Sequence, residues 1–437
     1  MSLEQAATKI PQQRWLRIIP PVMIVYIFAF MDRMNIGFAM AGGMNESLGI
    51  TASTAGMAAG IFFFGYLFLQ IPGGHIAENG WGKKFIAISI LIWGGLSALT
   101  GLVTEAWHLL VLRFFLGIAE GGVWPVILVI ISKWFPSEER ARANAFFIMN
   151  INIAIMITGP ISGWIIQDYG WRNVFFIEGI VSVLLILLWW PLIDDSPEKA
   201  KWISPAERDY IISRLKEEQV SIKSDDAPVS YKQLFANSNF WKLTLFYFAF
   251  QVGDYGFMLW LPTILKELTK TGMTMVGFLS AVPFLAAMAG LYLIASRSDK
   301  TGKRRIYTAL PAICFAVAFV LSVHTKETIW LSFTFLVICG FFHNAYNGVF
   351  WAMPPMLFPS EVCGGARGFI NGIGNLGGFV GPFLVGWVIT TFGSTDIAIY
   401  VLSGFLLAAF FLAMSLPANK IDAAKEVVSK DKQIVRS

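Results

Sequence analysis

Phe135-Pro136-Ser137-Glu138 is repeated as Phe358-Pro359-Ser360-Glu361, 223 residues further on, and Gly163-Trp164 returns as Gly386-Trp387 at the same offset. A third echo joins Glu78, Gly82, Lys83 and Lys84 to Asp299, Gly302, Lys303 and Arg304 at offsets near 220. Chance produces one such match; three at consistent spacing make the chain a duplicated half-length unit. Each copy of the tetrapeptide ends a long apolar run and opens another. A spanning helix needs about 20 mostly apolar residues. Scanning with that length outward from the repeats gives twelve spans: 18–42, 53–77, 84–104, 107–132, 142–167 and 173–193, then 239–264, 273–296, 306–324, 328–357, 365–391 and 395–416. The first is too long, and too polar at its centre, for a cleaved signal sequence, so it is expected to remain as a helix.

Composition agrees. Of 437 residues 56% are hydrophobic and only 14% charged, where soluble domains carry about a quarter charged residues. So little charge cannot clothe so large a core in water, and a bilayer is the solvent expected. The net charge of +5 does not point to nucleic acid, because the basic residues lie in short segments between apolar runs rather than along one face. Their position gives the orientation. Twenty-seven of the 33 Lys and Arg fall at the start (Lys9, Arg14, Arg17), in the loops that follow even-numbered spans, or in the tail. The other side holds Arg172, Lys266, Lys270 and Lys326, and Arg33 and Arg113 lie within spans. Basic residues are retained on the cytoplasmic side, so both termini are expected there.

The long polar segment after Asp194 divides the spans six and six. Its Ser204-Pro205-Ala206-Glu207 start reads as a serine cap followed by proline at the first helical position, opening a short amphipathic helix to Glu218. The expected architecture is an all-α membrane protein of twelve transmembrane helices in two pseudo-symmetric six-helix bundles. The halves are 1–194 and 239–416, with a cytoplasmic linker 195–238 and a cytoplasmic tail 417–437. Parallel repeats of this kind are built into secondary carriers. Cys314, Cys339 and Cys363 have neither disulfide nor zinc spacing and read as small hydrophobes. Gly372-Ile373-Gly374-Asn375-Leu376-Gly377 fits a dinucleotide pattern, but no strand precedes it; close helix contact and bending are the better use of these glycines. No cofactor, metal or catalytic residue is expected, and the chain is not read as an enzyme. Trp81, Trp107, Trp134, Trp171 and Trp241 lie near span ends, where an interfacial belt is the default explanation.

Charges inside a bilayer cost at least about 2.5 kcal/mol each on insertion scales, so five need reasons: Asp32 and Arg33 in the first span, Arg113 and Glu120 in the fourth, and Asp254 in the seventh. Arg113 and Glu120 are seven apart, hence on one helix face and about 10.5 Å apart along its axis. Arginine stays protonated and presents a planar fork that can take a carboxylate through two parallel hydrogen bonds, so Arg33 or Arg113 can hold an acid group. Burial favours a neutral carboxyl and a guanidinium favours the anion, which leaves Asp32 and Glu120 between the two states. The structural alternative is that these four charges only lock the first span to the fourth. Asp254 is equally open to a functional role or to a hydrogen bond with Tyr255 or a neighbouring helix. Asn150, Asn152, Gln251, Tyr255, Asn344, Tyr346, Asn347, Trp351, Asn371 and Asn375 interrupt otherwise apolar spans and can line a pathway or bond helix to helix. His343 beside them reads as a hydrogen-bond partner.

Several motifs together resemble the major facilitator superfamily and, within it, the anion:cation symporter family of organic-anion and sugar-acid:proton symporters. They are Asp32-Arg33-Met34-Asn35-Ile36-Gly37-Phe38-Ala39, Gln70-Ile71-Pro72-Gly73-Gly74, Arg113-Phe114-Phe115-Leu116-Gly117-Ile118-Ala119-Glu120-Gly121, and Asn371-Gly372-Ile373-Gly374-Asn375-Leu376 before Gly381-Pro382. The resemblance covers nearly the whole chain. It implies a secondary active transporter of the bacterial inner membrane that imports a small organic anion with protons by alternating access. Sugar acids such as aldonates or hexuronates come first as substrates, then tartrate-like or aromatic carboxylates. It implies Asp32 and Glu120 as the proton-carrying pair and Arg113 as neighbour of the anion. Tyr66 resembles the family's substrate-side tyrosine, and by family position Trp351 and Asn371 are the best substrate residues of the second half. Gating is implied for Glu78, Lys83, Asp299 and Arg304; the first copy of that loop has Glu78 for the usual Asp and one extra residue before Gly82. The expected partners are the anion, protons and the lipid bilayer, with the carrier working as a monomer. The rival readings are a membrane ligand sensor without flux and a facilitator without ion coupling.

Overall fold

The computed structural model describes residues 12–221 and 231–422. Lys9, part of the expected linker (222–230) and most of the expected tail (423–437) lie outside them. Every membrane element is helical: α1 (Gln13–Ala39), α2 (Ala52–Leu67), α3 (Gly82–Thr100), α4 (Ala106–Gly121, carried on by Val123–Trp134), α5 (Ser137–Tyr169) and α6 (Trp171–Leu184, carried on by Ile186–Leu192), then α7 (Ser238–Thr269), α8 (Met273–Thr301), α9 (Arg304–His324), α10 (Ile329–His343), α11 (Ser360–Asn375, carried on by Gly377–Phe392) and α12 (Thr395–Met414). Ten helical stretches among the described residues are long and apolar enough to span a bilayer. The remaining two, α2, which is shorter, and α7, which carries Gln251, Asp254 and Tyr255 at its centre, complete the twelve helices that the repeat implies.

Helices and apolar spans differ in length for a physical reason. The apolar run measures the lipid, whereas the helix continues into water wherever backbone bonding and capping allow. Thus α5 starts at Ser137 rather than 142, just after Pro136, and α8 runs to Thr301, where Gly302 takes a left-handed φ of 70°. The second span breaks at Phe68-Leu69 and restarts as Gln70–Ile76, with Pro72 in its first turn. The tenth, expected as one run, breaks after His343 and again after Phe350, with Asn347–Phe350 and Pro354–Leu357 as short further turns.

By packing, the described residues form two compact units, 12–35, 64–155 and 169–221, and 36–63, 156–168 and 231–422. In the first, α3 and α6 meet at backbone distance: a Cβ on Gly179 would lie 2.5 Å from the Ala98 nitrogen, and one on Gly94 would lie 2.8 Å from the Gly179 carbonyl oxygen. The linker helix Pro205–Ser221 belongs to this unit. Ser204 Oγ accepts from the Glu207 amide at 3.3 Å, and the Glu207 carboxylate, buried, accepts from Arg14 Nη1 at 2.6 Å and from the Gln13 and Arg14 amides at 3.3 Å. The other Arg14 nitrogen, Nη2, holds Glu139 at 2.7 Å, and Arg140 clasps Glu218 through both terminal nitrogens at 2.7 and 2.9 Å. The start of α1, the start of α5 and the linker helix are thereby tied together. Glu207→Ala leaves the buried Arg14 charge half compensated, a loss of about 3–5 kcal/mol for one partner of a buried pair. Thermal unfolding of the purified protein should show a marked fall in midpoint; an unchanged midpoint would mean the clasp carries no stability.

In the second unit, helices also touch at glycine. A Cβ on Gly37 would lie 2.4 Å from the Leu259 carbonyl oxygen, on Gly56 2.3 Å from that of Pro382, and on Gly159 2.5 Å from that of Gly277. Lys266 Nζ donates to the Ala41 carbonyl at 2.6 Å, and Gln167 Oε1 accepts from the Met273 amide at 2.7 Å. Gly374 lies directly under the Tyr247 ring and Gly377 against the Phe248 backbone, while Gly372 faces open space. Two of the three glycines of the discounted dinucleotide pattern therefore serve close helix contact.

Candidate functional site

Buried charge in the first unit is concentrated where α1 meets α4. Arg33 and Glu120 form an ion pair, Nη2 to Oε2, at 3.2 Å, and Arg33 also stacks over Tyr66 and Phe30 with its guanidinium carbon 4.7 and 5.1 Å from their ring centres. Arg113, two helical turns from Glu120, points instead at the backbone of α1, donating to the carbonyls of Asp32 at 3.2 Å and Arg33 at 3.4 Å. Asp32 Oδ1 accepts from the Ser97 hydroxyl of α3 and from Asn35 Nδ2, the latter at 3.0 Å. Asp32, Arg113 and Glu120 each expose only 1% of their surface.

The two acids share one feature. Each uses a single oxygen on its neighbours, and the other, Asp32 Oδ2 and Glu120 Oε1, is buried without a hydrogen-bond partner among the described residues. A buried carboxylate oxygen left unsatisfied costs about 1–3 kcal/mol or more. A proton on that oxygen removes the charge, and a donor brought by a ligand or water satisfies it. The arrangement thus places two buried carboxyl groups, each with one oxygen open to a proton or a donor, beside two guanidinium groups.

Of the other residues singled out from sequence, Tyr66 joins this cluster through Arg33. Asn152 is buried, and both side-chain polar atoms of Asn150 have no hydrogen-bond partner among the described residues. In the second unit Gln251 Oε1 accepts from Tyr346 at 3.3 Å, Tyr255 packs edge-on against Phe63 with ring centres 4.5 Å apart, and Asn347 donates to Asn344 Oδ1 at 2.9 Å. Trp351 meets the Tyr247 ring edge-on at 5.3 Å, its carbonyl accepts from Arg367, and Asn371 is half-buried. The gating residues behave differently in the two copies. Lys83 reaches Asp195 through its amide at 2.7 Å and Asp194 through Nζ at 3.2 Å. The exposed Glu78 carboxylate faces His75 at 3.7 Å, while its carbonyl accepts from Lys133. Arg304 lies against Met356 Sδ at 3.1 Å, and Asp299 has no ion pair among the described residues.

Asp254 bonds His343 of α10 rather than Tyr255. Both are buried, and Tyr346, in the turn that follows α10, bonds Gln251 one helical turn before Asp254, so α7 holds both the end of α10 and the turn after it. Removing either partner alone strands a polar or charged group, at about 3–5 kcal/mol for a buried pair. The double variant Asp254→Asn/His343→Gln keeps a hydrogen bond without charge and should unfold within a few degrees of wild type while each single variant falls well below it. Equal midpoints in all three variants would show that the pair does not bind these helices.

The sequence reading passed over three participants. Glu178 lies within the sixth apolar span and is buried to 3% exposure, so it belonged with the five intramembrane charges and makes a sixth; its presence in an apolar run was the available signal. Asn35 and Ser97, which hold Asp32, carried none that named a partner, because short polar side chains in membrane helices can bond any neighbouring helix.

A family model described as Major Facilitator Superfamily matches residues 22–382 and 270–434. A protein of Agrobacterium vitis provisionally named a tartrate transporter is 34% identical over 417 residues, 94% of this chain and 95% of that one. The inner membrane transport protein RhmT of Escherichia coli is 31% identical over 94% of this chain and 96% of its own length, and an Escherichia coli D-galactonate transporter is 26% identical over 94% and 97%. Among solved structures, a bacterial homolog of the human lysosomal transporter Spinster superposes with a TM-score of 0.76 over 92% of this chain and 97% of that one at 16% identity, a likeness of fold.

Proposed function

This chain belongs to the Major Facilitator Superfamily and is a multi-pass membrane transporter of its organic-anion branch, not an enzyme; on that premise we propose that it imports a sugar acid, an aldonate or hexuronate first, by proton symport. Asp32 and Glu120 carry the protons, and Arg113 or Arg33 takes the substrate carboxylate. Tyr66 and Asn152 in the first unit, and Gln251, Tyr255, Asn347, Trp351 and Asn371 in the second, bind hydroxyls and carbon. The halves 1–194 and 239–416, joined by the linker 195–238, alternate access across the bacterial inner membrane, with both termini and the tail 417–437 in the cytoplasm. Lys83, Glu78, Asp299 and Arg304 act at the cytoplasmic gate, and the monomer is the working unit.

The observation that carries this reading is the pair of buried acids, each with one oxygen unpartnered among the described residues, beside two guanidinium groups. Anion binding alone would need the arginines and not the acids. Tartrate-like acids form the second reading, favoured by the name of the Agrobacterium vitis relative. A thermal-shift screen of the purified carrier against aldonates, hexuronates, tartrate and aromatic acids, followed by uptake of the best ligand into proteoliposomes under an imposed pH gradient, tests both. Uptake abolished by a protonophore is the expected result. Uptake indifferent to it would leave a facilitator, and binding without flux would leave a sensor.

A further inference from the structure

The lipid-facing side of the first unit carries a groove that neither proton coupling nor anion binding uses. Phe85, Ile88, Ile92 and Leu96 follow one another at three- and four-residue steps, which sets them on one face of α3. Leu69, at the break of the second span, and Phe115 of α4 complete the walls of a cavity of about 330 Å³. The Ser89 hydroxyl is the one polar side chain in its lining, and it opens outward, with Ile88, Ile92 and Phe115 exposed by 57, 48 and 51%. The three helices converge at the end where α3 begins: a Cβ on Gly122 would lie 2.4 Å from Phe85 Cζ and 3.1 Å from the Leu69 carbonyl oxygen. Ala119 lines the groove, whereas Glu120 beside it turns to Arg33, so the groove is separate from the acids.

Length and charge identify the occupant. Phe85 to Leu96 is about 16.5 Å of helix, and one leaflet contributes about 15 Å to a hydrocarbon core of about 30 Å. The groove is therefore as long as one lipid chain is deep. Lys84 stands one turn before Ile88, and helical side chains lean toward the helix N-terminus, so its ammonium lies beyond the groove, over the exposed Trp81 ring at 4.2 Å. Tryptophan at a span end sits at the depth of the head groups. Nearby cations are engaged: Lys83 holds Asp194, and Lys133 donates to the Ala77 and Glu78 carbonyls. Lys84 has no ion pair among the described residues.

A chain that leaves bulk lipid for this groove gains nothing from the hydrophobic effect, because lipid tails are as apolar as leucine. It gains close contact with the walls, which every lipid offers alike, so selection falls to the head group at Lys84. We propose that the groove between the end of α2, α3 and α4 is a binding site for one anionic phospholipid, with an acyl chain against Ile88 and Ile92 and the phosphate at Lys84. The site stands independently of the symport reading.

Native mass spectrometry of the full-length carrier, taken from bilayers of phosphatidylglycerol and phosphatidylcholine with identical chains, tests this. One phosphatidylglycerol per carrier should be retained about fivefold over phosphatidylcholine, the worth of one lysine at an anionic surface. Lys84→Gln, an exposed change, should bring the two lipids to parity, and Ile92→Trp at the rim of the groove should lower the retention of both. Equal retention of the two lipids by wild type, or an undiminished preference in Lys84→Gln, overturns the assignment without needing the Ile92 variant to fold. Wild-type retention of both lipids by a folded Ile92→Trp overturns it too, since the chain would then lie elsewhere. So does displacement of phosphatidylglycerol by excess inorganic phosphate at constant ionic strength, which would make Lys84 a site for a free anion.

Discussion

Glu120→Gln should reduce accumulation under an imposed pH gradient to simple equilibration, while substrate counterflow across the same membranes continues. The substitution preserves the buried volume and the acceptor that faces Arg33, but glutamine cannot take up a proton at the position of Oε1, which has no hydrogen-bond partner among the described residues. Each coupled proton is worth tenfold accumulation per unit of pH gradient, about 1.4 kcal/mol, and about 2.3 kcal/mol per 100 mV if it moves uncompensated charge. A carrier that loses one exchanging acid loses that multiplier in full. Counterflow is the control, because it needs binding and reorientation without net proton movement. The ion-pair alternative predicts a different pattern: a destabilised protein whose folded fraction still accumulates substrate. Accumulation at the wild-type ratio would remove Glu120 from the coupling mechanism altogether.

How legible this was in the sequence differs between the fold and the site. The twelve helices followed from hydropathy and from the 223-residue echo, because a bilayer forces every spanning backbone to satisfy its own hydrogen bonds. Helix ends and breaks were less legible: α10 stops at His343, which bonds Asp254 of α7, and the turn after it carries Tyr346 to Gln251, with no proline at the break. At the site, spacing alone placed Arg113 and Glu120 on one face, but it could not assign partners. Arg33, from another helix, takes Glu120, and Arg113 turns to the backbone of α1. Pairing between helices depends on their rotation and depth, which a one-dimensional period does not encode. The Arg14–Glu207 contact spans 193 residues for the same reason, and Glu178 was visible as a charge but unreadable as a neighbour of Asp32 until Asn35 joined them.

Arg113→Lys should weaken binding of the anion by about 10- to 100-fold with the membrane charge unchanged. The guanidinium is planar and its two terminal nitrogens already reach two successive carbonyls of α1, at 3.2 and 3.4 Å. It thus fixes the helix that carries Asp32 and Arg33, and in the proposed reading the remaining hydrogens of the same fork take the substrate carboxylate. Lysine supplies one nitrogen, which can serve the helix or the anion but not hold the parallel geometry of both. Losing one charge-assisted hydrogen bond costs about 1.5–3 kcal/mol, and tenfold in affinity corresponds to about 1.4 kcal/mol. Because the loss falls on ground-state binding, KM should rise more than the maximal rate falls. The pH dependence should shift as well, since Asp32 sits on the backbone that Arg113 holds. Equal KM and equal pH profiles in Arg113→Lys and wild type would exclude a forked contact and leave Arg33, stacked on Tyr66, as the anchor for the substrate acid.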